Sequence, residues 1–325
     1  MTIRGKTEGV LLADIGGTNV RFAVLKESTL GPIQHMAVAD HEQFADAFAI
    51  FMASRPDDVV INRAIFGVAG VVENGRCALT NSSWVVDAKA LSGRFGLKAV
   101  QIVNDFEAVA WCLPELERKD LRRIGGHKAR PEAPKLAIGP GTGFGAAVYV
   151  PGKEHGFVLR SEAGHSTLPS GSVREDAIVE HLRRRFGHVS AERVVSGHGL
   201  ENLYYAIATV ESRTVPDRSA AEITQAAIAN SCTTSRAAVD MFCALFGEVA
   251  GNFALSFGAQ GGVFIAGGIA THLRDYLAQS QFRLRFDAKG RMRRYVEEIP
   301  VYVILNDDPA FIGLQSLAEQ RTLHS

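Results

Sequence analysis

The stretch Val10-Leu-Leu-Ala13, Asp14-Ile15-Gly16-Gly17-Thr18-Asn19, Val20-Arg-Phe-Ala-Val-Leu25 reads as two short strands joined by a glycine-rich hairpin turn. The same arrangement returns further on, where Leu136 to Ile138 and Gly145 to Val150 flank Gly139-Pro140-Gly141-Thr142-Gly143. Sliding the first segment by 124 positions lays Leu12, Ala13, Gly17, Thr18, Ala23 and Val24 on Leu136, Ala137, Gly141, Thr142, Ala147 and Val148. This internal repeat points to two domains built on one plan. Between the turns, Ala64 to Val68 and Ala99 to Val103 read as strands, and a helix from Phe106 to Leu113 stops at Pro114. Later, Arg174 to Phe186, Glu222 to Asn230 and Ala237 to Phe257 have helical spacing, while Gly262 to Ala266 and Val301 to Leu305 read as buried strands. The fold class is therefore α/β, with a hairpin opening each domain. The charged, Gly- and Pro-containing stretch Lys119 to Pro134 reads as the passage between them, and a last helix, about Ala310 to Glu319, is expected to return to the first. The boundaries expected are 1–115 plus 306–325 for a small domain and 116–305 for a large one.

Composition narrows the function. With 325 residues the chain exceeds one ordinary core, and 46% hydrophobic residues indicate a folded chain. Lys plus Arg equals Asp plus Glu at 35 each, so no overall field favours nucleic acid or an acidic membrane, and a small-molecule partner is expected. Cys77, Cys112, Cys232 and Cys243 show no metal or disulfide spacing, so no zinc is expected. The apolar run Val10 to Ala13 is too short for a signal-peptide core, and no other stretch reads as a membrane span; a cytoplasmic location is the expectation.

One Asp-x-Gly-Gly-Thr hairpin alone is more often just a tight turn. Two glycine turns at matching places point instead to nucleotide phosphates, because glycine lets backbone N–H groups approach phosphate oxygens. Neither turn fits the P-loop pattern or the dinucleotide fingerprint. Asp14 either caps its turn or stands near Mg2+ through water. Asn104-Asp105 sits where a strand ends and a helix begins; the plain reading is an N-cap, and the chemical one is a base for an accepting hydroxyl. Glu162 and His165 share a loop and suit a polyol better than a metal, for which no further ligand has the right spacing. Glu192 reads as a first-turn helix glutamate, and spacing does not promote it. Gly267-Gly268 follows a buried strand, where paired glycines mark a turn or let backbone pass a flat ring. Gly247 and Gly251 read as close helix packing, and the Arg183-Arg184-Arg185 and Arg291 to Arg294 runs as solvated faces.

Taken in order, Asp14-x-Gly-Gly-Thr-Asn, Asn104-Asp105-Phe106, Gly139-x-Gly-Thr-Gly, Glu162-x-Gly-His165, His188-Val-Ser-Ala-Glu-Arg-Val-Val-Ser-Gly and Gly262-Val-Phe-Ile-Ala-Gly-Gly-Ile resemble the bacterial glucokinase family from about residue 10 to residue 316. The resemblance implies two ribonuclease-H-like (actin-like ATPase) domains flanking a central cleft, a homodimer, and transfer of the γ-phosphoryl of ATP to the 6-hydroxyl of glucose. It implies Asp105 as catalytic base, with Asn104, Asp105, Glu162, His165 and Glu192 on the sugar, so Glu192 gains a role that spacing did not give it. It implies ATP at Ala13, Asp14, Ile15, Gly16, Gly17, Thr18, Gly139, Gly141, Thr142, Gly143, Gly267 and Gly268, with Mg2+ near Asp14. Ala163 departs from the glycine common there, and the dispersed cysteines set the chain apart from related sugar kinases with a zinc motif. A kinase for another hexose or amino sugar is the competing enzyme reading. A sugar-sensing regulator is disfavoured by the 13 residues before Asp14, and an actin-like filament ATPase leaves Glu162, His165 and Glu192 without a shared purpose.

Overall fold

A computed structural model describes residues 7–55, 58–79 and 82–322. The chain divides into two compact units, one of residues 1–115 with 307–325 and one of residues 116–306.

The first unit opens with strands β1 (Thr7–Ile15) and β2 (Asn19–Lys26), the short β3 (Thr29–Leu30) and β4 (Gln34–Ala37), and helix α1 (Phe44–Ser54). It continues through β5 (Val59–Val68), a β6 (Arg76–Ala78) and β7 (Val85–Asp87) hairpin, α2 (Ala88–Phe95), β8 (Ala99–Asn104) and α3 (Asp105–Cys112). Among the described residues its main sheet has the order β3-β2-β1-β5-β8, with β4 also on β2. The first hairpin is antiparallel, whereas β1, β5 and β8 run parallel. Their register aligns Ile15 with Val68 and Val68 with Asn104, so the glycine turn after β1 and the start of α3 emerge from one sheet edge. Two strand spacings separate them, about 10 Å. Phe22, Phe44, Phe48 and Phe66 close the core beneath that edge, with Phe22 and Phe51 stacked 4.9 Å apart. Strand β1 runs through Asp14 and Ile15, which shortens the turn expected at 14–19 to Gly16-Gly17-Thr18, closed by Gly16 N–H donating to the Asn19 carbonyl at 3.0 Å.

The second unit contains β9 (Leu121–Gly125), β10 (Lys135–Pro140), β11 (Phe144–Val150), β12 (Phe157–Ser161), α4 (Val173–Phe186), α5 (Gly197–Val210), α6 (Ala220–Ile228) and α7 (Thr233–Ser256). After these come β13 (Gly262–Ile265), the short helices α8 (Gly268–His272), α9 (Arg274–Gln279), α10 (Phe282–Asp287) and α11 (Arg293–Glu297), and β14 (Val301–Ile304). Its sheet order is β12-β11-β10-β13-β14-β9, again an antiparallel hairpin followed by parallel strands. The stretch 119–134, read as a passage, therefore contributes the edge strand β9, antiparallel to β14. Its alternating Leu, Arg and Ile carry too weak a pattern to reveal a strand buried on only one side.

The two hairpins share topology but not register. Ile15 pairs with Val20 across four residues, whereas Pro140 pairs with Phe144 across three. The slide by 124 is thus one residue out on the second strand: Ala23 faces Leu12, but Ala147 faces Ala137. Helix α7 is long and apolar enough to cross a membrane, which the sequence reading did not anticipate, but 78% of its apolar window is buried inside the protein. Its apolar residues spread around the helix because it is a core element.

The final helix, α12 (Pro309–Thr322), returns to the first unit. A Cβ on Gly313 would lie 1.8 Å from the carbonyl oxygen of Ala108 in α3, so the two helix backbones meet where no side chain fits. Proline at the first helical position suits that start, since its missing N–H would have no helical acceptor.

Candidate active site

Two residues hold the start of α3. Asn104 is its N-cap: Oδ1 accepts from Phe106 N–H at 2.9 Å and Glu107 N–H at 3.3 Å, and Nδ2 donates to the Gly70 carbonyl at 3.1 Å. The plain reading of this residue is therefore present in full. Asp105 follows at the first helical position, where its Oδ1 also accepts from Phe106 N–H at 2.9 Å. Asp105 stands close enough to Cys77 for its charge to join burial in raising the thiol above its usual pKa.

On the neighbouring strands of this unit, Ala13, Asp14 and Ile15 end β1, and Gly16, Gly17 and Thr18 make the turn. Asp14 is ion-paired with Arg21 of β2, which also donates to Asp308, just before α12, at 2.6 Å. Burial pushes the Asp14 carboxyl above its usual range, and the Arg21 guanidinium only partly offsets this. A carboxylate with one oxygen committed to arginine fits an ion that keeps its own waters better than direct ligation. Arg21 itself carried no signal in the sequence; its alternation in β2 made it an ordinary strand residue.

In the second unit the glycine turn sits between two different surfaces. On one side, Glu162 and His165 lie in a tight turn after β12, with His165 Nε2 3.9 Å from Glu162 Oε2 and His165 Nδ1 3.9 Å from Glu192 Oε1. Glu192 does not begin a helix, as its sequence reading had it; it lies in a turn before α5, where its N–H donates to the Gly164 carbonyl at 2.9 Å. Its other oxygen, Oε2, accepts from Phe144 N–H at 2.9 Å, directly after Gly141-Thr142-Gly143. Two carboxylates and an imidazole thus converge, half-exposed, beside the glycine turn, a pattern of acceptors and donors suited to several hydroxyls. Among the described residues no three His, Cys, Asp or Glu side chains form a metal-ligating group.

On the other side, a cavity of about 880 Å³ opens against Gly141, Thr142 and Gly268. It is of a size to take a nucleotide. Gly139 lies within β10, Gly267 precedes α8, and Gly197 N–H donates to the Gly141 carbonyl at 2.9 Å, which fixes the first turn of α5 against the glycine turn. The cavity's other walls come from α5, α6 and α8, including His198, Glu201, Gln225 and His272, none of which the sequence reading had singled out. The one available signal was Ser196-Gly197-His198-Gly199, an N-cap followed by small residues, with Ser196 Oγ accepting from Gly199 N–H at 2.9 Å.

A cluster of side chains suited to hydroxyls and a nucleotide-sized cavity meet at one glycine turn, an arrangement suited to phosphoryl transfer to a sugar, and the chain is an ATP-dependent sugar kinase of the actin-like ATPase fold. Comparison with known proteins narrows this. The sequence model of the glucokinase family matches residues 11–321. Glucokinase from Nitrobacter hamburgensis is 40% identical over 307 residues, covering 94% of this chain and 96% of the relative. Glucokinase from Paramagnetospirillum magneticum is also 40% identical, covering 95% and 97%. A crystal structure of glucokinase from an Antarctic psychrotroph superposes with a TM-score of 0.84 at 32% identity, covering 96% of this chain and 99% of the other. The chain belongs to the glucokinase family.

Proposed function

We propose that this protein transfers the γ-phosphoryl group of ATP to the 6-hydroxyl of glucose, giving glucose 6-phosphate and ADP, the entry step of glycolysis. One observation supports this most: Glu192 accepts from the backbone of the glycine turn through one carboxylate oxygen and sets the other 3.9 Å from His165, so the groups proposed for hydroxyl binding and for phosphate binding meet at one side chain. In this reading Glu162, His165, Glu192 and Asn104 hold the sugar hydroxyls, and Asp105 accepts the proton of the attacking hydroxyl. The turns at Ala13 to Thr18 and Gly139 to Gly143, with Gly267 and Gly268, hold ATP through backbone N–H groups aimed at the phosphate oxygens. Asp14 would hold Mg2+ through water, and the ion supplies neutralisation of phosphate charge. A cytoplasmic homodimer without zinc, nucleic acid or membrane partners completes the proposal.

ADP release from Mg-ATP across a panel of hexoses, comparing wild type with Asp105→Ala, tests it. Glucose is expected to be the preferred acceptor, and the variant to lose on the order of 100-fold or more in turnover while keeping its fold. A variant as fast as wild type removes Asp105 from the role of base, and a better acceptor than glucose reassigns the substrate.

A further inference from the structure

The cavity beside the glycine turn is lined by one carboxylate, that of Glu201, among its described lining residues. Glu201 lies on α5, four residues after Gly197, whose N–H is bonded to the glycine turn. Residues four apart share a helix face, and four residues advance about 6 Å along the axis. Glu201 therefore lines the cavity about one helical turn further along α5 than Gly197, which is bonded to the glycine turn. It is held rather than mobile: Oε1 accepts from Ala220 N–H at 2.9 Å, and Oε2 lies 3.5 Å from His198 Nδ1. Thr224, Gln225 and Ile228 of α6, which also line the cavity, are uncharged and suit a flat base.

An ionised carboxylate only accepts hydrogen bonds, so whatever it meets in the cavity must donate. At ribose distance from the phosphate turn, the donors a nucleotide offers are its 2′- and 3′-hydroxyls. We propose that Glu201 reads the ribose of the phosphoryl donor, through Oε2 to one of these hydroxyls, and so makes the enzyme select ribonucleotides over deoxyribonucleotides. This rests on ATP occupying the cavity, as proposed above.

The test is steady-state kinetics at saturating glucose with ATP, 2′-deoxy-ATP, 3′-deoxy-ATP and ITP on wild type, Glu201→Gln and Glu201→Ala. A hydrogen bond to a charged group predicts that wild type uses at least one deoxy analogue about tenfold or more less efficiently than ATP, in kcat/KM. In Glu201→Ala that ratio is expected to fall to within about twofold, with the KM for glucose unchanged, while Glu201→Gln, which keeps a neutral bond, falls between. Helix α6 keeps its own Ser219 and Glu222 capping box, so removing Glu201 leaves its N-terminus capped. Equal use of ATP and both deoxy analogues by wild type overturns the proposal without requiring any variant to fold. So does a Glu201→Ala enzyme that loses efficiency equally with all donors, the mark of a carboxylate that only caps α6. Discrimination against ITP with none against the deoxy analogues would assign Glu201 to the base and equally overturn it. Failure of the ATP reading itself would look different, as no ADP release with any hexose.

Discussion

Replacing Gly164 with alanine should disable together the elements proposed to hold the sugar and the phosphates. Gly164 lies between Glu162 and His165, and its carbonyl accepts from Glu192 N–H. A Cβ added there would stand 2.1 Å from the carbonyl oxygen of Phe144 and 3.4 Å from its Cβ. Carbon and oxygen in contact settle at about 3.3 Å, so either the 163–165 turn or the end of the glycine turn must move by roughly 1.2 Å. Neither can yield alone, because Glu192 is bonded to both, through its N–H to Gly164 and its Oε2 to Phe144 N–H. A displacement of about 1 Å between reacting groups costs on the order of 100-fold in rate, and overpacking costs about 1–3 kcal/mol of stability. We therefore expect Gly164→Ala to lower kcat/KM for glucose about 100-fold, measured by ADP release, while circular dichroism shows the fold retained with a lower melting temperature. Activity within about twofold of wild type would refute the reasoning, since it would mean that the coupling through Glu192 is not rigid.

Two further tests concern stability and reactivity. Glu175, nearly buried, makes a two-pronged pair with Arg285 at 2.7 and 3.0 Å and accepts from Gly171 N–H at 2.7 Å, while Arg285 also bonds Glu248. Burial alone would raise the Glu175 carboxyl, but its bonds to Arg285 and Gly171 outweigh this and hold it below its ordinary value of 4.5. A carboxylate lowered on folding stabilises fully above that ordinary value and loses its contribution as pH falls through the folded one. Glu175→Gln should cost about 2–4 kcal/mol near pH 7, read by urea unfolding, and the gap to wild type should narrow only below about pH 4.5; a gap independent of pH down to 3 would contradict this. Among the cysteines, burial drives Cys243 up to about 12 and raises Cys77, and Cys112 is buried. Cys232 is less enclosed; burial would raise it, but bonds from Ser235 and the N–H groups starting α7, with Arg218 nearby, lower it instead. Iodoacetamide on the native protein near pH 7.5 should therefore label Cys232 first, as peptide mass mapping will show, and faster labelling of Cys77 or Cys243 would contradict the burial.

The sequence by itself carried the two glycine turns, the parallel strands behind them and the cap of α3, because each depends on local chemistry: glycine's freedom, β-branched runs, and a side chain reaching the next two N–H groups. It also carried the family, through motifs spread over nearly the whole chain. What it did not carry is which distant side chains meet. Glu192 looked like an ordinary helix glutamate until its turn was laid against Gly164 and Phe144. Glu201 and His272 went unremarked until α5 and α8 placed them on a cavity wall, and Arg285 lay 110 positions from the glutamate it holds. Those encounters arise from sheet order and helix packing, which set side chains together across long loops, whereas periodicity describes only the face that each segment turns inward.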